Sequence, residues 1–378
     1  MKGSSTSILR SSLPADTPVR RLGNVHFGPL IAAFLLSLIG VVTVASASEL
    51  DSESYFERQA LWIVVGLIAV LVVFLLDYHV LVDLSPFFYF AGLVALVLVL
   101  VVGHEAGGAR SWLRYGFFNV QPSELQKIAT ALLLTRYLAG REGAYLRLKE
   151  IITAAVIVGI PMVLIAWERD MGGAAMFLPL LGGALLVAGI QPRQLVVAGL
   201  LGVLACGVIW TYGMKPYQKQ RIMSFLSPGD DPLGAGYQAR QAKIAVGSGQ
   251  LTGQGYGHGT QSQLRFLPAR HTDFVVAVLA EEWGFLGVAA VLALYSFFIS
   301  SVRTIAARSR DRTGILLLVS LVSVICFHLA YNTGMVVGLL PITGIPLPFV
   351  SYGGSFMLFN FIVTGLILNV DYRRYVNR

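Results

Sequence analysis

The sequence predicts an all-α polytopic membrane protein of about ten transmembrane helices, and three observations carry that prediction. The 378 residues are 56% hydrophobic and only 13% charged, roughly half the charge of an ordinary soluble domain. Mean hydropathy is +0.71. The apolar residues fall in blocks of about 17–25, long enough to cross the hydrocarbon core as helices. One integral domain, 26–378, is expected behind a polar, disordered N-terminal tail, 1–25.

The expected spans are about 28–47, 60–77, 86–103, 122–139, 151–167, 173–190, 195–212, 273–302, 314–335 and 352–370. The first ends Val44-Ala45-Ser46-Ala47, which resembles a signal-peptidase site. An uncleaved first span is the preferred reading, because removing it spoils the charge asymmetry of the loops. Between the last two spans Pro341, Pro346 and Pro348 predict a re-entrant or broken segment. Irregular backbone at membrane depth is tolerated only where it is buried in protein or lines a wet cavity.

Lys and Arg in the short loops set the orientation. Lys2, Arg10, Arg20 and Arg21, then Arg141, Arg147 and Lys149, then Arg303, Arg308, Arg310 and Arg312, and finally Arg373, Arg374 and Arg378 fall on one side of a ten-span chain. Both termini are therefore expected in the cytoplasm. The long polar stretch 213–272 becomes a large outer loop, yet it carries Lys215, Lys219, Arg221, Arg240, Lys243, Arg265 and Arg270. That excess against the positive-inside rule suggests an anionic partner outside. The net charge of +8 is otherwise ordinary cytoplasmic-loop charge and does not imply nucleic acid. Cys206 and Cys326 lie within apolar spans, with neither disulfide framework nor metal spacing.

Two groups of residues suggest chemistry. Asp273 opens the eighth span. On a helix it would share a face with Ala277, Ala280, Glu281 and Gly284. Ionisable groups at membrane depth are costly and so are usually paired or functional; capping the helix is the plainer role for Asp273. Glu124 and Lys127 are i,i+3 neighbours early in the fourth span, either a helix-stabilising ion pair or a fixed cation for an anionic substrate. Arg110, in Gly107-Gly108-Ala109-Arg110-Ser111-Trp112, lies on the same outer side. Glu168-Arg169-Asp170 reads as a solvated turn with an unusual density of charge. The glycine run 247–259 offers backbone amides to an anion but matches no P-loop, so a flexible loop is the simpler reading. His258 and His271 lack zinc spacing.

Three blocks resemble the SEDS family of shape, elongation, division and sporulation proteins, most closely its RodA branch. They are 121–127, from Gln121-Pro122-Ser123-Glu124 to Lys127; 257–284, including Arg270-His271-Thr272-Asp273-Phe274; and 346–355, Pro346-Leu347-Pro348-Phe349-Val350-Ser351-Tyr352-Gly353-Gly354-Ser355. The chain departs from the family at Ala269, where an acid is usual, and at Glu168-Arg169, where Gln-Pro is common. The resemblance implies a peptidoglycan glycosyltransferase of the bacterial cytoplasmic membrane. Its substrate would be lipid II at the outer leaflet, and its partner a class B penicillin-binding protein. Asp273 matches the family's catalytic aspartate and is the expected general base. Lys127 and Arg221 are the leading candidates for stabilising the diphosphate, with Glu124 holding Lys127, and Arg110, Lys243 and Arg270 as further cations. A Mg²⁺ or Mn²⁺ ion could bridge the diphosphate, with Asp273 or Glu281 as ligands. A lipid II flippase and a non-catalytic scaffold are the alternative readings.

Overall fold

The computed structural model describes residues 25–48, 54–106, 109–115, 118–141, 143, 145–214, 216–227 and 234–374. The expected tail, 1–25, lies outside them but for its last residue. In chain order come α1 (Gly28–Ala47), α2 (Tyr55–Leu75), α3 (Tyr78–Asp83) and α4 (Ser85–Val102). A small antiparallel sheet follows, β1 (His104–Ala106), β2 (Ala109–Tyr115) and β3 (Phe118–Val120), with β2 in the middle. Then come α5 (Pro122–Ala139), α6 (Leu148–Trp167), α7 (Met171–Ala175), α8 (Phe177–Ala188) and α9 (Pro192–Val208). A wider π-helical turn, Ile209–Gly213, leads to α10 (Pro216–Leu226), α11 (Ala235–Ser248) and α12 (Thr260–Gln263). The chain closes with α13 (Val275–Arg308), α14 (Arg312–Val336) and α15 (Gly354–Arg373).

Eight stretches among the described residues are long and apolar enough to cross a bilayer, α7 and α8 counting as one. The other two expected spans are also helical. α5 carries Glu124, Lys127 and Arg136, and the apolar part of α9, Pro192–Leu204, is short. The chain is a polytopic α-helical membrane protein, with Phe87, Phe90, Val101 and Leu75 displaying their side chains outward, as lipid-facing positions do. α15 is the most buried of the eight.

The first span belongs to the bundle. Ala32, Ala33 and Leu36 of α1 are fully buried, the Ser46 hydroxyl donates to the Glu282 carboxylate, and Gln263 donates to the Ser46 carbonyl at 3.0 Å. At the opposite end, Asp77 and Asp311 accept amides at the starts of α3 and α14. His79 lies between the two carboxylates, at 3.0 and 3.3 Å.

Three features differ from what the sequence predicts. The stretch 213–272 is not simply a loop, because α10, α11 and α12 occupy much of it. The sheet over 104–120 was not expected at all. The eighth span also differs in detail. Asp273 precedes α13, and Gly284 interrupts it with φ 65° and ψ −164°, so the expected shared face from Asp273 to Gly284 does not form. A left-handed φ favours glycine, and here a Cβ would strike the Leu251 carbonyl at 2.6 Å.

That interruption explains the glycine run. The Gln254 and Gly255 amides donate to the Glu281 and Glu282 carbonyls at 2.9 and 3.0 Å. The Phe285 and Leu286 amides donate back to Gln250 and Leu251 at 2.9 and 3.1 Å. Breaking a helix frees carbonyls and amides that must find partners, and the run 249–255 supplies them. The Gln254 and Gly255 amides are thus committed to the protein backbone rather than to phosphate.

Candidate active site

Asp273 sits in a tight turn. The amides of Thr272, Asp273 and Phe274 all point at the Ala269 carbonyl, at 3.1, 3.0 and 3.3 Å. Ala269 itself is left-handed, with φ 51°. Phe274 is buried and forms the cap position of α13 with no side-chain capping bond. Asp273 itself stands one residue before that cap position and is partly buried.

This turn is fastened to the proline-broken segment between α14 and α15. The Tyr352 amide donates to the His271 carbonyl at 2.9 Å, and the Ser351 hydroxyl donates to the Thr272 carbonyl at 2.6 Å. The His271 ring stacks on Tyr55, centroids 4.5 Å apart. Carbonyls of the segment that have no helical partner are met by side chains. Tyr331 donates to Pro341 at 3.1 Å, Asn332 to Ile345 at 2.7 Å, Tyr295 to Pro348 and Gln59 to Val350 at 3.1 Å. His328 Nδ1 lies 3.0 Å from the Pro346 carbonyl. Buried backbone carbonyls require such partners, and they hold the segment rigidly. Gly344 lies against the aspartate: a Cβ there would stand 3.4 Å from Asp273 Oδ2.

The second constellation meets the same segment from the other side. A Cβ on Gly172 would meet the Thr343 carbonyl at 2.9 Å, and Gly172 follows Asp170 closely in chain. Asp170 accepts from the Gly173 amide at 2.7 Å and from Gln121 Nε2 at 2.9 Å. The Gln121 amide donates to the Ser355 hydroxyl at 2.9 Å. Asp170 is thus no solvated turn residue. Burial pushes its carboxyl up, opposed by the Gly173 amide, the Lys127 charge and Gln121.

Glu124 and Lys127 do pair, at 2.8 Å. Both are buried, Lys127 with 1% of its side chain exposed. The ammonium lies 4.5 Å from the Phe359 ring centroid and 5.7 Å from that of Phe356. The approach to Glu124 misses hydrogen-bond geometry, so Nζ has no hydrogen-bond partner among the described residues. Lys127 is therefore an interior cation paired with Glu124.

The remaining candidates separate clearly. Arg270 is buried and donates through Nε to the Ala47 carbonyl at the end of α1. Arg110 does the same for α4, donating to Gly103 at 2.7 Å and Leu100 at 3.3 Å. Cations at helix C-termini satisfy terminal carbonyls and the dipole. Glu281 is fully buried and accepts the Gln261 and Ser262 amides, at 2.8 and 3.1 Å, and the Thr260 hydroxyl. Its carboxylate holds α12 in place through these three donors. Lys243 on α11 is exposed, lies across Gly338 at the start of the broken segment, and has no ion-pair partner among the described residues. The side chain of Arg221 lies outside the described residues, although α10 includes its backbone.

No three His, Cys, Asp or Glu side chains among the described residues are grouped to hold a metal ion. A Mg²⁺ or Mn²⁺ ion bridging a diphosphate would take oxygen ligands from the phosphates as well as from the protein. An apolar cavity of ≈ 530 Å³, lined by Pro179, Ile299 and Phe327 among others, lies toward the other end of α13 and is not this site.

The family model described as cell cycle protein, covering FtsW, RodA and SpoVE, matches residues 28–376. The chain belongs to the FtsW/RodA/SpoVE family. These are the SEDS proteins. The chain is 38% identical over 354 residues to the peptidoglycan glycosyltransferase MrdB of Escherichia coli strain K12, covering 93% of this chain and 95% of that protein. It is 30% identical to the peptidoglycan glycosyltransferase RodA of Treponema pallidum, covering 94% and 99%. A chain from a structure described as structural coordination of polymerization and crosslinking by a peptidoglycan synthase complex superposes with a TM-score of 0.81 at 31% identity, covering 92% and 98%. In this SEDS protein, Asn332, His328, Asp170 and Gln121 join the site although sequence reasoning did not select them. The signal was present for two of them: His328 and Asn332 are polar residues one turn apart in an otherwise apolar span.

Proposed function

We propose that the chain polymerises lipid II with Asp273 as general base. It is a peptidoglycan glycosyltransferase of the bacterial cytoplasmic membrane, a multi-pass SEDS protein. The observation that carries the mechanistic reading is the fastening of the Asp273 turn to the broken segment, which holds the carboxylate beside Gly344.

The reaction forms a bond between the acceptor's GlcNAc O4 and the donor's MurNAc C1. The bond from C1 to the lipid diphosphate breaks, and the configuration at C1 inverts. Asp273 takes the proton of the attacking hydroxyl as the new bond forms, the usual contribution of a positioned carboxylate. The departing diphosphate carries away the electron pair and needs cations. Lys243, exposed at the edge of the broken segment, is the best-placed described cation; Arg221, whose side chain lies outside the described residues, is proposed from the family resemblance alone. Lys127 acts from the interior, balanced by Glu124, and sets the charge behind the segment. A divalent ion would arrive with the diphosphate, and no step here uses it. The proposed partner is a class B penicillin-binding protein, which supplies transpeptidation.

The test is polymerisation of lipid II in detergent by the full-length protein with that partner. Asp273→Asn is expected to abolish glycan chains while the protein remains folded; full activity in this variant would refute the base assignment. Because detergent removes any need to cross a leaflet, the same assay separates a polymerase from a flippase. Repeating it in chelator, then with added Mg²⁺ or Mn²⁺, tests the ion.

A further inference from the structure

One buried amide joins the two pieces of backbone that make the site. Asn332 on α14 has no exposed surface. Its Nδ2 carries two hydrogens and both are used: one goes to the Asp273 carbonyl at 2.8 Å, the other to the Ile345 carbonyl at 2.7 Å. A planar amide holds its two N–H bonds in fixed directions. The two carbonyls are therefore fixed relative to each other as well as to α14.

The neighbours of Asn332 on the helix do less. His328 lies against the Pro346 carbonyl and Tyr331 donates to that of Pro341, both within the broken segment. The Asn332 bonds instead span the gap between that segment and the turn of Asp273. They bracket Gly344, the residue whose backbone lies beside Asp273 Oδ2. Burying a primary amide is costly unless its donors are satisfied. Here the donors are satisfied, while Oδ1 has no hydrogen-bond partner among the described residues. The side chain is thus set by its donor side, the side that faces the site.

We infer that Asn332 is a positioning residue for the reaction: its amide fixes the backbone of Asp273 against Ile345 and so sets where the carboxylate meets the acceptor hydroxyl. This rests on Asp273 being the general base. A displacement of about 1 Å in a positioned group costs on the order of 10²-fold in rate.

The experiment measures kcat and KM for lipid II polymerisation by the full-length protein with its penicillin-binding partner in detergent. Asn332→Leu keeps the branched shape, though it is somewhat larger, and removes both donors. Asn332→Ser is smaller and polar, and decides the matter should the leucine variant not fold. Tyr331→Phe removes a bond to the broken segment only. For either Asn332 variant kcat is expected to fall about 10²-fold with KM within about twofold, while Tyr331→Phe changes kcat by less than about threefold. Retained kcat in a folded Asn332 variant overturns the inference. So does a parallel change of kcat and KM shared by Asn332 and Tyr331 variants, which would make Asn332 one more staple of the segment. Failure of the underlying assignment shows separately, as full activity of Asp273→Asn alone.

Discussion

The Ser351 hydroxyl donates to the Thr272 carbonyl at 2.6 Å while accepting the Leu347 amide at 2.8 Å. A single side chain thus closes a turn inside the broken segment and ties it to the residue before Asp273. Ser351→Ala leaves a buried amide and a carbonyl without this partner. The loss is expected to be about 1–3 kcal/mol, read as a lower melting midpoint in detergent, together with slower lipid II polymerisation. An unchanged midpoint and rate would show that the tie is dispensable.

Gly344 separates stability from activity. Its φ of 75° is left-handed, and a Cβ would stand 3.4 Å from Asp273 Oδ2, an ordinary contact distance. Gly344→Ala is expected to cost about 1–2 kcal/mol from the backbone, without a severe clash. The methyl group nevertheless occupies space beside the carboxylate, where the acceptor must approach. Polymerisation should fall much further than stability does. Measuring rate and melting midpoint on the same preparation checks this, and equal tolerance in both would place the acceptor elsewhere.

The buried pair of Glu124 and Lys127 gives a different pattern. Removing one partner of a buried pair strands the other charge, at a cost of about 3–5 kcal/mol. Lys127→Met alone should therefore express poorly or melt early. The double variant Glu124→Gln with Lys127→Met removes both charges, and much of the stability should return. If Lys127 sets the charge behind the broken segment, polymerisation should stay low in the refolded double variant. Recovery of both stability and rate would make the pair purely structural.

The broad architecture was legible because apolar length is a direct demand of the bilayer. The pairing of Glu124 with Lys127 was legible because i,i+3 spacing fixes proximity on a helix. What escaped depended on contacts distant in chain. α10 and α11 contain too many polar residues to register as spans, and so looked like loop. Gly284 fits a helical pattern in sequence, and only the approach of residues 250–255 shows why the helix opens there. Arg270, Arg110 and Glu281 stood out because charge is scarce in this chain. Charge is equally needed to finish helix ends, and that is where the first two reach. Asn332 could be noticed as a polar residue in an apolar span, but its two acceptors are 59 and 13 residues away.

Glu168 yields a pH prediction. It follows α6, is 1% exposed, and neither carboxylate oxygen has a hydrogen-bond partner among the described residues. Burial, with the nearby Asp170 charge added, raises its carboxyl from 4.5 to about 8. The folded protein therefore holds this proton more tightly than the unfolded chain does. The sign follows from linkage: the stabilising contribution is complete below the unfolded value and is lost as pH rises through the folded one. Within the window from 4.5 to about 8, this one group should lower stability by about 1.4 kcal/mol per pH unit. Glu168→Gln keeps the shape, supplies a neutral side chain and removes the titration. The variant should melt higher than the parent at pH 8, with the difference shrinking as pH falls toward 5. Detergent melting curves across that range provide the measurement. A difference that stays constant with pH would mean that Glu168 carries its charge in the folded state.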